Sequence, residues 1–173
     1  MAADRTPWPP DELKVIALRD LENPRPFDPV EVLEIWNKRH FVFARDKIGK
    51  FWEVAAWHGD KDAVFAVRFF PDASNVGRGV HGGAIASVID AVEGISCIIN
   101  GRSVVTGERH IRYLNPCTVL VPYLMKAKVT PPTSGSRRVF VEVTLEDFAG
   151  KLYVEAKTTM VLMKIPLPPS SKL

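Results

Sequence analysis

The chain has 173 residues, 46% hydrophobic and 25% charged, enough apolar material for one globular core with accessory arms. A formal charge of +3 suits an anionic ligand, but the basic residues are scattered, without the runs of like charge that would follow a phosphate backbone, which argues against nucleic acid. The one long apolar stretch, residues 80–100, holds Asp90, Glu93 and three glycines; such charges are costly in hydrocarbon, so it reads as a buried helix and not a membrane span.

In chain order, residues 1–10 carry Asp4, Arg5 and several prolines where a secretory signal would have an apolar core. Residues 1–50 read as an arm. Residues 11–19 suit a short helix, and Pro24 and Pro26 keep it from merging with a second. That second helix starts at Asp28, which can cap it, with Pro29 in the first turn and Glu31 closing a capping box. The arm is expected to pack on the domain, over a pocket mouth.

The compact domain spans 51–165. Residues 51–57 and 62–70 are rich in aromatic and β-branched residues around a His58-Gly59-Asp60-Lys61 turn and predict a hairpin. After the apolar helix come strands at 103–114, 118–130, 136–147 and 151–164. Asn115-Pro116, residues 131–135 and residues 147–150 separate them. Val139, Val141, Val143 and Leu145 alternate with polar or exposed positions, so one sheet face is buried. An apolar helix between two early and four later strands implies an α+β fold, an antiparallel sheet of five to six strands wrapped around one long helix. Cys97 and Cys117 have neither disulfide nor metal-ligand spacing and read as free thiols in a reducing compartment. Residues 166–173 form a proline-rich tail ending in Ser171-Lys172-Leu173. At a free C-terminus this is the address read by the peroxisomal import receptor, so a peroxisomal location is expected, with the cytoplasm as the alternative.

The chemistry concentrates at the start of the apolar helix. His81-Gly82-Gly83 leave backbone uncovered where a helix exposes unpaired N–H groups, a site for an oxyanion such as a polarised thioester carbonyl. Gly83 is counted with Gly82 among the ligand-facing positions. His81 either contacts the ligand or caps the helix. Ser87, Asp90 and Glu93 recur every three residues as a polar seam. With every other face apolar, Asp90 is expected to line a cleft. Glu93 is read as a solvent-facing end of the seam, against the alternative that its charge raises the Asp90 pKa. Nine residues of helix put His81 and Asp90 roughly 13 Å apart. One chain therefore cannot place the carboxylate beside a carbonyl held at Gly82; a twofold dimer with antiparallel helices can, giving two equivalent sites.

These residues resemble the hotdog-fold acyl-CoA thioesterases of the PaaI-like group. The resemblance runs from Phe51 to Lys164 and rests on Asn75, His81-Gly82-Gly83 six residues on, Asp90 nine further, and Thr106 ten residues before Pro116. It implies that Gly82 supplies the oxyanion N–H, Asn75 helps hold substrate and water, Asp90 acts as base or nucleophile, and Thr106 positions the water. It also implies a homodimer pairing the aspartate of one subunit with the glycine of the other, often a dimer of dimers. Neither metal nor bound cofactor is expected. For the CoA phosphates, Arg137 and Arg138 are candidates with Lys157 behind them, the alternative being ordinary surface cations.

Two other functions compete with acyl-CoA hydrolysis. A hotdog hydratase or dehydratase would place an acid fourteen residues after the histidine, where this chain has Ile95. A non-catalytic acyl-CoA-binding protein would bind ligand without turnover.

Overall fold

The computed structural model describes Pro9, Leu21 and residues 25–27, 51–59 and 62–164. The helices expected at 11–19 and from Asp28, and the tail with Ser171-Lys172-Leu173, lie outside the described residues.

Seven strands form one antiparallel sheet: β1 (Arg25–Phe27), β2 (Trp52–His58), β3 (Asp62–Phe69), β4 (Val104–Tyr113), β5 (Pro122–Thr130), β6 (Arg138–Glu146) and β7 (Leu152–Leu162). Their order is β1-β2-β3-β5-β6-β7-β4. The expectation of five to six strands was short because the arm contributes one: Arg25–Phe27 pairs with the edge of β2, Arg25 opposite His58. Prolines at 24 and 26 gave no strand signal, and an edge strand is where proline is tolerated. The strand expected from residue 118 starts at Pro122. Residues 118–121 turn first: Leu120 has φ +64 and its N–H donates to Phe69 O, 2.8 Å.

The single α-helix among the described residues, α1 (Gly82–Ile99), packs on one face of the sheet against β3, β4, β5 and β6. Ile85, Val88, Ile89, Val92 and Ile95 enter a core with Phe65, Tyr123, Met125, Val141 and Leu145. This packing explains why a segment long and apolar enough to cross a membrane has its side chains covered by strands. Cys97 and Cys117 are free, and burial pushes each thiol up to about 12. On the other face of the sheet, Trp57, Val64, Ala66 and Leu124 form a smaller cluster with Leu21. Leu21 of the arm thus meets the sheet on the side away from α1, while Arg25–Phe27 joins its edge.

Candidate active site

The N-terminal end of α1 is shaped by backbone bonds. Asn75 Oδ1 accepts from the N–H groups of Gly77, 2.9 Å, and Gly79, 3.1 Å. Val80 N donates to Cys117 O and His81 N to Ala73 O, which pins the loop to the body. His81 is the N-cap: its Nδ1 accepts from Gly83 N at 2.9 Å, while its carbonyl takes the N–H groups of Ala84 and Ile85. The capping reading of His81 therefore describes its ring. It also spends the Gly83 amide, so of the first helical turn only Gly82 N–H has no partner among the described residues. Tyr113 from β4 closes one side, donating its hydroxyl to Gly82 O at 3.0 Å. A Cβ at Gly82 would lie 3.5 Å from that ring.

Asp90 stands two turns further along, on the line facing β4. Arg109 Nη2 and Thr106 Oγ1, the latter at 3.3 Å, both donate to Asp90 Oδ1. Oδ2 has no partner among the described residues, and the side chain is 44% exposed. Asp90 and Thr106 are thus in contact within one chain.

Glu93 corrects the reading of a solvent-facing seam. It is 0% exposed; Oε2 accepts from Arg109 Nε at 2.9 Å and Nη2 at 2.6 Å, and Oε1 from Thr158 Oγ1 at 2.6 Å. Burial pushes its carboxyl up, while Thr158 and Arg109 pull the other way. Helical periodicity correctly put Glu93 on the face of Asp90, but could not show that β4 and β7 cover the seam one turn on.

Arg109 and Thr158 were missed by the sequence reading. In a regular strand Thr106 and Arg109, three apart, point to opposite faces. Here the β4–β7 register shifts between Thr106 and Glu108, Thr106 pairing with Met160 and Arg109 with Thr158. This bulge at Gly107 turns both side chains to α1. Close approach favours glycine, since a Cβ there would sit 3.1 Å from Thr159 O, a tight contact. A glycine inside a strand pattern was the available signal.

The proposed phosphate ligands lie apart from this constellation. Arg137 donates from Nε and Nη2 to Leu162 O, at 3.1 and 2.6 Å. Lys157 pairs with Glu142 at 3.2 Å on an exposed face. Arg138 is exposed at the start of β6, and its guanidinium has no partner among the described residues. Ile95, at the hydratase acid position, is buried in the core.

No protein-family model matches the chain. Over 132 residues it is 30% identical to a Saccharolobus solfataricus protein described as a candidate esterase, a match covering 75% of this chain and 89% of the other. Among solved structures it resembles zebrafish thioesterase superfamily member 2, with TM-score 0.62 and 21% identity, over 78% of this chain and 95% of that one. It also resembles a Streptococcus mutans protein bound to acetyl-CoA, with TM-score 0.59 and 19% identity, over 73% and 97% of the two chains. Escherichia coli PaaI aligns with TM-score 0.57 and 16% identity over 64% of this chain and 82% of its own. At these identities the likeness to solved structures is one of fold.

Proposed function

The chain belongs to the family of the Saccharolobus solfataricus esterase and has the hotdog fold of the PaaI-like thioesterases, and on that premise we propose that it hydrolyses acyl-CoA to free acid and CoA at a site shared by two subunits. The observation that carries the reading is the Asp90 carboxylate, held through Oδ1 alone, with Oδ2 open and the side chain part-exposed. A relative named as an esterase and a fold neighbour solved with acetyl-CoA support the substrate class.

In the proposed reaction the thioester carbonyl oxygen accepts from Gly82 N–H, where α1's dipole favours the charge that develops on it. Asp90 Oδ2 of the partner subunit removes a proton from water as the water oxygen attacks the carbonyl carbon. Thr106 aligns that water, and the amide group of Asn75 helps hold it. Collapse of the tetrahedral intermediate breaks the C–S bond and expels CoA thiolate, which takes up the proton; a good leaving group needs no metal. Sharing between subunits follows from length: Gly82 and Asp90 are eight residues apart on one helix, about 12 Å. The dimer is supported by β4, a ten-residue strand paired only with β7 among the described residues, with Val105 and Tyr113 about half exposed along it. Arg138 is the best placed of the three cations for a CoA phosphate, being the one without a described partner. The Ser171-Lys172-Leu173 tail supports a peroxisomal location, which a fluorescent fusion with and without the tripeptide tests.

The test is release of free thiol from acyl-CoAs of increasing chain length. Asp90→Ala is expected to lower turnover by about 100- to 10,000-fold while the fold is kept; normal turnover by this variant would refute the assignment. Loss of enoyl absorbance without thiol release would favour the hydratase reading instead.

A further inference from the structure

Beyond Asp90 itself, we propose that Glu93, Arg109 and Thr158 form a buried positioning assembly that fixes the Asp90 carboxylate, leaving Oδ2 as its reactive oxygen; this rests on Asp90 being the reacting carboxylate. Every bond to Asp90 reaches Oδ1, from Arg109 and from Thr106. Arg109 is in turn fixed by two donations to Glu93 Oε2, and Glu93 by Thr158 on its other oxygen. Arg109 Nη2 also donates to Thr106 Oγ1 at 3.4 Å, so the two groups that hold Asp90 are tied to each other.

Stability alone does not account for the assembly. A buried ion pair gains little over well-packed apolar side chains of the same volume, because desolvation offsets the attraction. The surroundings are otherwise apolar: the core rows of β3, β5 and β6 that face α1 are Ala63, Phe65, Val67 and Phe69, then Tyr123, Met125, Ala127 and Val129, then Val139, Val141, Val143 and Leu145. Arg109 is therefore the cation that reaches this part of α1 among the described residues. The other titratable or charged groups are Glu93 on the same helix, Cys97 one turn beyond it with Arg102 beside it, Tyr113 at the helix start and Tyr123 in the β5 row. What a planar, permanently charged fork adds is direction: Arg109 divides its donors between a carboxylate that cannot move and one that meets solvent.

The assembly predicts a signature that loss of packing does not produce. Glu93→Gln keeps the shape and an acceptor for Thr158 but frees Arg109 to shift, so kcat falls about 10- to 100-fold with KM nearly unchanged. Arg109→Met removes the fork and lowers kcat likewise, and Arg109→Lys restores the charge without the fork, so it does not recover kcat.

The experiment measures kcat and KM for thiol release by these variants beside Asp90→Asn, with melting temperatures as controls. Loss of kcat at nearly unchanged KM in Glu93→Gln and Arg109→Met, not recovered by Arg109→Lys, supports the assembly. A Glu93→Gln enzyme with wild-type kcat overturns it while an inactive Asp90→Asn leaves the assignment of Asp90 standing. Full turnover by Asp90→Asn overturns that assignment and the assembly's role with it. Should Arg109→Met not fold, the kcat and KM of Glu93→Gln alone decide.

Discussion

At its N-terminal end α1 is finished by backbone and a cap: Asn75 folds the loop, His81 takes the Gly83 amide, and the Gly82 N–H is left over. Eight residues on, the helix is finished by side chains from elsewhere in the chain, Thr106 and Arg109 from β4 and Thr158 from β7. The first end is built mostly from residues close in sequence, with Cys117 and Tyr113 reaching it from the body. The second depends on a strand arriving with a one-residue bulge. A lesion at the first end should therefore be confined to one hydrogen bond, whereas a lesion at the second should spread through every group that touches Asp90.

The largest way to sharpen this contrast is Gly82→Pro. Proline is favoured at the first helical position and lacks only the N–H. His81, at φ −64 and ψ 133, already has the extended backbone that a following proline demands. The variant should fold with an unchanged melting temperature and lose about 100- to 1,000-fold in kcat, the cost of one oxyanion donor. Steady-state kinetics beside a thermal melt checks this; full activity would mean that the Gly82 amide takes no part.

Gly107→Ala attacks the other end without touching a polar group. The added methyl would meet Thr159 O at 3.1 Å, a tight contact that β4 and β7 relieve by moving apart a few tenths of an ångström at the bulge. That moves Thr106 and Arg109 together relative to Asp90. Turnover should fall about tenfold or more and stability should fall with it, in contrast to Gly82→Pro. Kinetics and denaturant midpoints of the two variants, measured together, make the comparison.

The smallest effect concerns pH and stability. Burial holds the Glu93 carboxyl above its ordinary value of 4.5. Between that value and the folded one, the folded chain keeps a proton that the unfolded chain has released. Stability from this group is therefore fully present below about 4.5 and is lost as pH rises through the folded value. Glu93→Gln lacks this slope. The melting temperature of the wild type, relative to the variant, should fall as pH rises above 4.5; parallel curves would contradict the assigned burial of charge.

The same contrast explains what could be read in the sequence. The helix, its glycines, the alternation along β6 and the turns between strands are local patterns, and the elements lie within a few residues of where those patterns put them. Asp90 stood out as a carboxylate in an apolar helix, and Thr106 came through resemblance. Arg109 stayed hidden because simple alternation turns it away from Thr106, and only the bulge at Gly107 reverses it. Glu93 was misread for a related reason: spacing along a helix tells which face a residue takes, but not which strand covers that face. β1 gave no hydrophobic signal, since an edge strand of three residues is held by backbone bonds to β2.

The central claim is that each site joins Gly82 of one chain to Asp90 of its partner, and a mixed dimer tests it most directly. Gly82→Pro and Asp90→Asn chains, carrying different affinity tags, would be co-expressed and the heterodimer isolated through both tags. If the site is shared, one of its two sites combines an intact Gly82 with an intact Asp90 while the other has neither. The heterodimer should then release thiol at about half the wild-type rate per dimer, although each parent homodimer is nearly inactive. A heterodimer no more active than its parents would contradict the shared site and return both groups to a single chain.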